Sequence, residues 1–318
     1  MHYNRLKFSL LLLLLLPTLL IANEFVKYEA TPSAIKVYTT DGVHRFTPYS
    51  ESIVEVFYTK QHRRQMPSLT IARKPPGIKV SNSKIIVADS RVLTEIQNTS
   101  EFLFIGFGEL TIEITKDPFS IKYFNENTLL FEEDDFYIHT THRGFRMRVE
   151  DREKFYGGGM RVTNNLDRRG NRFPLYNKPS DGYSGATNQM YYSLPIITSN
   201  KLYTVYFDNI SSGYLDIAKT EDDIVEFAAE GGRTSYVIVT ADSYLQLTQD
   251  LMGLIGRQPM PPLWAFGHFS SRQGYTNQDQ VLKLINVYSK EEVPLDAIVF
   301  DKYWYGKDTE VSMGNLDW

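Results

Sequence analysis

The residues of this chain best placed to do chemistry lie near its carboxyl end. Leu295-Asp-Ala-Ile-Val-Phe-Asp-Lys-Tyr-Trp-Tyr-Gly306 reads as a short apolar strand that opens on Asp296 and delivers Asp301 at its carboxyl end. An ionised carboxylate only accepts hydrogen bonds, with charge-assisted strength, so Asp301 is the residue first expected to meet a ligand. Trp304, three residues on, offers a flat apolar face. Lys302 beside Asp301, and Gln273 in the loop after an earlier strand, are the other candidate binding residues.

A strand-end carboxylate faces ligand when its strand is one of a parallel set, and the preceding residues supply that context. Leu263 to Phe269 reads as a short buried-type strand. Asn277 then caps a helix, with Gln280 three residues on as in a capping box, and Val281, Leu284, Ile285 and Tyr288 form its inner stripe. Pro294 ends the connection, and the uninterrupted apolar run Ala297 to Phe300 is what a parallel strand buried on both faces requires. Strand, helix, strand is one βαβ unit. In a (β/α)8 barrel the carboxyl ends of the strands form the ligand-facing side, and a complete barrel takes roughly 250 residues. The unit therefore reads as the first of an incomplete TIM barrel.

Upstream the dominant period is two. Leu110-Thr-Ile-Glu-Ile-Thr115 alternates, Asp117-Pro118 turns, and Phe119-Ser-Ile-Lys-Tyr-Phe124 resumes; Lys84 to Ala88, Leu202 to Phe207, Ile224 to Phe227 and Tyr236 to Val239 are similar. Short strands separated by turn residues predict an antiparallel β-sandwich. The period changes near Asp242, where Asp242 or Ser243 is available as a helix cap, Tyr244, Leu247, Leu251, Leu254 and Ile255 share one helical stripe, and Gly256 follows the end. Three prolines in Gln258-Pro-Met-Pro-Pro262 make an extended connector. The organisation expected is a leader over 1–22, a sandwich domain over 23–256 and the start of a barrel over 257–318.

Trp264-Ala-Phe-Gly, Ser271-Arg-Gln-Gly-Tyr275, Val293-Pro-Leu-Asp296 and Phe300-Asp-Lys-Tyr-Trp304 resemble, in order and spacing, the opening of the catalytic barrel of glycoside hydrolase family 31. Phe155-Tyr-Gly-Gly-Gly-Met-Arg161, Arg168-Arg-Gly170, Leu175-Tyr-Asn177 and Asp117-Pro-Phe119 are similar to that family's amino-terminal, galactose-mutarotase-like sandwich, and Met313-Gly-Asn-Leu-Asp-Trp318 to its oligosaccharide 4-α-glucosyltransferase branch. The resemblance implies a retaining α-glucosidase, α-xylosidase or transglucosylase acting on α-linked oligosaccharides through a covalent glycosyl-enzyme, without a cofactor. It places Asp301 on hydroxyls of the sugar at subsite −1 and Trp304 against a sugar face. Gln273 stands where the family often has an aromatic residue, and Lys302 where an apolar one is usual. The catalytic aspartates of the family belong to later barrel strands, so they are expected beyond Trp318 and the chain by itself is expected to be inactive. A carbohydrate-binding sandwich without catalysis is the alternative, and a βαβ unit bearing a strand-end carboxylate argues against it.

Other motifs carry less. Gly157-Gly-Gly159 lacks the Gly-Lys-Ser/Thr ending of a phosphate loop and reads as a tight sandwich turn. His139 and His142 lie three apart in strand-like sequence, on opposite faces, which disfavours a metal site. Arg168, Arg169 and Arg172 read as a loop cluster that is solvated or paired with carboxylates.

Arg5 and Lys7, the apolar run Phe8 to Leu16, Pro17 and Ala22 form a secretory signal with cleavage after Ala22. The run is shorter than the ~20 residues of a spanning helix, so no membrane anchor is expected once the leader is removed. Its loss takes the formal charge from −4 to −6, which disfavours nucleic acid as a partner. An exported chain without cysteine relies on its apolar core and suits a bacterial periplasm or exterior.

Overall fold

The computed structural model describes residues 23–60, 66–81, 84–87, 93–178, 185, 187–272 and 274–301. The proposed leader, Gln273, Lys302 and Trp304 lie outside them. The chain divides between Gly256 and Arg257 into two compact units. No helix among the described residues is long and apolar enough to cross a membrane.

The first unit is an antiparallel sandwich of an eight-stranded and an eleven-stranded sheet. Alternation along the strands explains it. In Leu110–Lys116 the buried residues are Leu110, Ile112 and Ile114, and the polar residues between them point away. Aromatic side chains join the two inner faces: Tyr236 of the first sheet stacks on Phe145 of the second at 4.1 Å between centroids, and Phe207 meets Phe227 at 5.7 Å. Such pairs contribute about 0.5–1.5 kcal/mol each beyond their buried area.

The Ser235–Thr240 strand is buried along its whole length, because both of its faces are covered. Tyr236 and Ile238 join the inter-sheet core. Val237 and Val239 face outward, onto Leu247, Leu251 and Leu254 of the Tyr244–Ile255 helix. That helix begins where the Ser243 side chain accepts from Gln246 N and ends at Gly256, whose φ of 103° suits glycine.

The Gly157-Gly-Gly159 run is no turn. It forms the end of the Phe155–Gly159 strand, with a register shift between Gly157 and Gly159. All three glycines have positive φ, and a Cβ would lie 2.6 Å from Ile196 O at Gly157 and 2.5 Å from Tyr192 O at Gly159. Glycine answers a bulge and a turn alike, which is why its residue type did not separate them.

The second unit contains the strands Phe269–Arg272 and Ala297–Phe300, paired in parallel, and the Gln278–Lys290 helix between them. The expected strand from Leu263 splits: Leu263–Phe266 is a single 3-10 turn entered from Pro262, and pairing begins only at Phe269. A short apolar run has no period that distinguishes the two. The Ala297–Phe300 strand is also less buried than expected, with Val299 43% and Phe300 37% exposed, because no other strand among the described residues flanks it.

Candidate functional site

Local sequence sets the geometry of the parallel unit. Asn277 Oδ1 accepts from Gln280 N at 3.0 Å, and the Gln280 side chain reaches back to the backbone and hydroxyl of Thr276 rather than to Asn277 N. The helix start is thereby tied to the loop that leaves the first strand. Val281, Leu284 and Tyr288 are its less exposed stripe residues, whereas Ile285 is exposed. His268 Nε2 and the Tyr288 hydroxyl lie 3.0 Å apart, joining the helix to the beginning of the Phe269–Arg272 strand.

The two carboxylates of the second strand have different surroundings. Asp296 precedes the strand at its amino end, where its Oδ2 accepts from His268 N at 2.8 Å while its own N donates to His268 O at 2.9 Å. A Cβ on Gly267 would come within 2.0 Å of Asp296 Oδ2, so glycine is required at that approach. This is a register clamp. Asp301 directly follows the strand at its carboxyl end and is exposed. At about 3.3 Å per residue the two carboxylates stand roughly 16 Å apart, too far for a common chemical step.

Among the four residues expected to bind ligand, Asp301 alone is described. The structure adds Tyr275, which the sequence reading used only as part of a motif. Tyr275 is 3% exposed, meets Phe300 edge-on at 5.8 Å, and lies under the Arg272 guanidinium at 5.5 Å from its ring centroid. Its ring supports the backbone immediately before Asp301. The signal for it was the Gly274-Tyr275 pair after a strand, which is a weak one.

The remaining motifs resolve into structure. His139 and His142 are not on opposite faces of a strand; they flank the hairpin turn between Thr128–Ile138 and Arg143–Arg148, joined by His139 N donating to His142 O. Among the described residues no group of His, Cys, Asp and Glu could hold a metal. Arg172 pairs with Asp216 at 3.6 Å and lies over Tyr214. Arg169 instead donates to the carbonyls of Glu150, Glu153 and Asp222, so it cross-links loops rather than meeting a carboxylate.

Comparison with known proteins agrees with this architecture. Residues 43–216 match the family model of the glycosyl hydrolase 31 N-terminal galactose mutarotase-like domain, and residues 258–318 that of the glycosyl hydrolases family 31 TIM-barrel domain. Alpha-glucosidase 2 of Bacillus thermoamyloliquefaciens is 24% identical over 289 residues, which are 87% of this chain and 34% of that protein. An alpha-xylosidase of Saccharolobus solfataricus is 28% identical over 114 residues, 36% of this chain and 15% of that protein. The structure of a dextranase from Flavobacterium johnsoniae, solved with isomaltotriose, superposes with a TM-score of 0.79 at 21% identity, covering 89% of this chain and 34% of that one. The chain thus spans about a third of the length of that α-glucosidase and that dextranase. With both of the family's domains matched in order, and the first over more than half of the sequence, the chain belongs to glycoside hydrolase family 31.

Proposed function

We propose that this chain supplies the amino-terminal sandwich and first barrel unit of a retaining glycosidase or transglycosylase acting on α-linked gluco-oligosaccharides. The observation that carries the reading is Asp301, an exposed carboxylate at the carboxyl end of a parallel strand. Retaining chemistry needs a carboxylate nucleophile and a carboxylic acid about 5–5.5 Å apart. The nucleophile attacks the anomeric carbon as the acid protonates the departing oxygen, and water or a sugar hydroxyl then displaces the carboxylate. In this reading Asp301 takes neither role. It accepts hydrogen bonds from hydroxyls of the sugar at subsite −1, with Trp304, Gln273 and Lys302 as further binding residues.

Asp296 faces the amino end, so the described residues contain no carboxylate pair of that spacing at the strand ends. The 318-residue chain alone is therefore expected to release no chromophore from aryl α-glucosides or α-xylosides. Release above the buffer rate by the purified chain overturns this part of the reading. The α-xylosidases among the relatives support a second substrate assignment, xylose at subsite −1. The ratio of aryl α-glucoside to aryl α-xyloside turnover in a polypeptide with a complete barrel decides between them.

We further propose export through the leader at 1–22, on the basic, apolar and small-residue order of Arg5 to Ala22. Mass spectrometry of exported protein is expected to find Asn23 as the first residue. Retention of Leu10 to Leu16 in the mature chain would overturn the assignment.

A further inference from the structure

The sandwich holds a concavity of about 530 Å³ within the first unit. Ligand pockets fall in the range of about 300–1,000 Å³. Its rim is exposed and polar, with Thr40, Asp41, Asp134 and Asp135. Its floor is buried and contains His44 and Glu133, 2% and 8% exposed. Such groups are uncommon between two sheets. They are there because the Thr128–Ile138 strand shifts register between Glu133 and Asp135, which turns Glu133 inward while Asp134 pairs outside with Arg146 and Arg148.

The hydrogen bonds on the floor are incomplete in one place. Tyr236 donates its proton to Glu133 Oε2, and the Tyr236 and Tyr123 hydroxyls lie 2.6 Å apart. That satisfies one side of the carboxyl. The other oxygen, Oε1, faces His44 Nδ1 at 3.7 Å, beyond hydrogen-bond range. His44 Nδ1 has no hydrogen-bond partner among the described residues. A buried ring nitrogen without a protein partner, on a residue that lines a cavity, has room for one hydrogen bond from a water or a ligand hydroxyl.

The surroundings select what enters. Burial keeps both floor groups neutral, pushing the His44 imidazole down to about 3 and the Glu133 carboxyl up to about 8. The rim offers little to a cation, since Asp134 is held by two arginines, Asp41 accepts from the Tyr58 hydroxyl and has Lys60 at 3.5 Å, and burial pushes the Asp135 carboxyl up. The walls are aromatic: the His44 ring lies 4.9 Å from that of Tyr58 and 5.3 Å from that of Phe119. Neutral donor–acceptor groups between aromatic faces fit a hydroxyl, which both donates and accepts, carried on a ring with an apolar face.

We propose that this cavity is an accessory site for a neutral pyranose, one of whose hydroxyls bridges Glu133 Oε1 and His44 Nδ1. The site is separate from Asp301 and takes no part in bond cleavage. It does not depend on the proposed activity.

The test is calorimetric titration of the purified 318-residue chain with methyl α-D-glucopyranoside. Saturable one-site binding is expected, retained in Asp301→Ala and weakened at least about tenfold in both Glu133→Gln and His44→Phe. Glu133→Gln keeps the shape and neutrality of the protonated carboxyl, and thermal unfolding checks that each variant is folded. If His44→Phe does not fold, Glu133→Gln decides alone. Absence of saturable binding overturns the proposal, as does binding unchanged in Glu133→Gln or abolished in Asp301→Ala. The first two results leave the assignment of Asp301 in a complete barrel untouched, and the third moves the bound sugar to Asp301.

Discussion

Asp301→Ala, introduced into a polypeptide that carries a complete barrel, is expected to lower kcat/KM for an α-glucoside by on the order of a hundredfold or more. Hydrogen bonds to a charged acceptor contribute about 1.5–3 kcal/mol each, and the proposed role gives Asp301 two of them. The loss should fall on kcat as well as KM, because hydroxyls held at subsite −1 orient the anomeric carbon and their contacts tighten in the transition state. Stability should change little, since Asp301 is exposed at a strand end. Kinetics and thermal unfolding of the same variant check this together. Near-wild-type turnover removes Asp301 from substrate binding, and a collapsed Tm assigns it to the fold.

The second large effect concerns pH. Stability of the sandwich is expected to level off between about pH 4.5 and 6.5 and to fall on both sides, through two buried groups that act in opposite directions. His44 is lowered from 6.5 to about 3, by burial against the smaller pull of Asp41. The unfolded chain therefore binds the extra proton as pH falls from 6.5 towards 3, and stability is lost on acidification. Glu133 is raised from 4.5 to about 8, by burial and with Asp135 adding to it, against the hydroxyls of Tyr236 and Tyr123. Here the folded chain holds the extra proton, so stability is lost as pH rises from 4.5 towards 8. Where the windows overlap the two slopes cancel. Outside the overlap each group contributes at most about 1.4 kcal/mol per pH unit.

The wild-type chain carries its own reporters for this experiment. All three tryptophans, Trp264, Trp304 and Trp318, lie after Gly256, as do only four of the twenty-one tyrosines, so tyrosine signals follow mainly the sandwich while tryptophan fluorescence follows the second unit. Urea unfolding read from the tyrosine signal should show the alkaline slope in wild type and lose it in Glu133→Gln. A variant curve that runs parallel to wild type above pH 6.5 would mean that the Glu133 carboxyl is already ionised in the folded state.

The contrast between Asp301 and Glu133 shows what can be read along a chain and what cannot. Asp301 was legible because its position follows from local rules: an apolar run, a preceding capped helix and a parallel connection fix which end of the strand it occupies. The period-two strands and the Ser243 and Asn277 helix starts are of the same kind, since side-chain alternation and capping are set by backbone geometry within a few residues. The same local rules failed at Leu263–Phe266 and Gly157–Gly159, where one residue pattern satisfies two conformations. They placed Asp296 at the start of its strand but said nothing of its surroundings, because Gly267 and His268 come from the segment that leads into the other strand.

Glu133 stands in a run of four acidic residues, Glu132 to Asp135, and nothing in their types tells it from the other three. Tertiary structure alone decides otherwise. A register shift turns one of the four inward, and its partners come from distant strands, Tyr236 lying 103 residues away and His44 approaching from the opposite sheet. The sequence determined the family, the two-part architecture and the strand-end carboxylate, because each is written in neighbouring residues. Packing the sheets face to face decided which polar groups lose water, and desolvation, which depends on everything that surrounds a group, decides their charge.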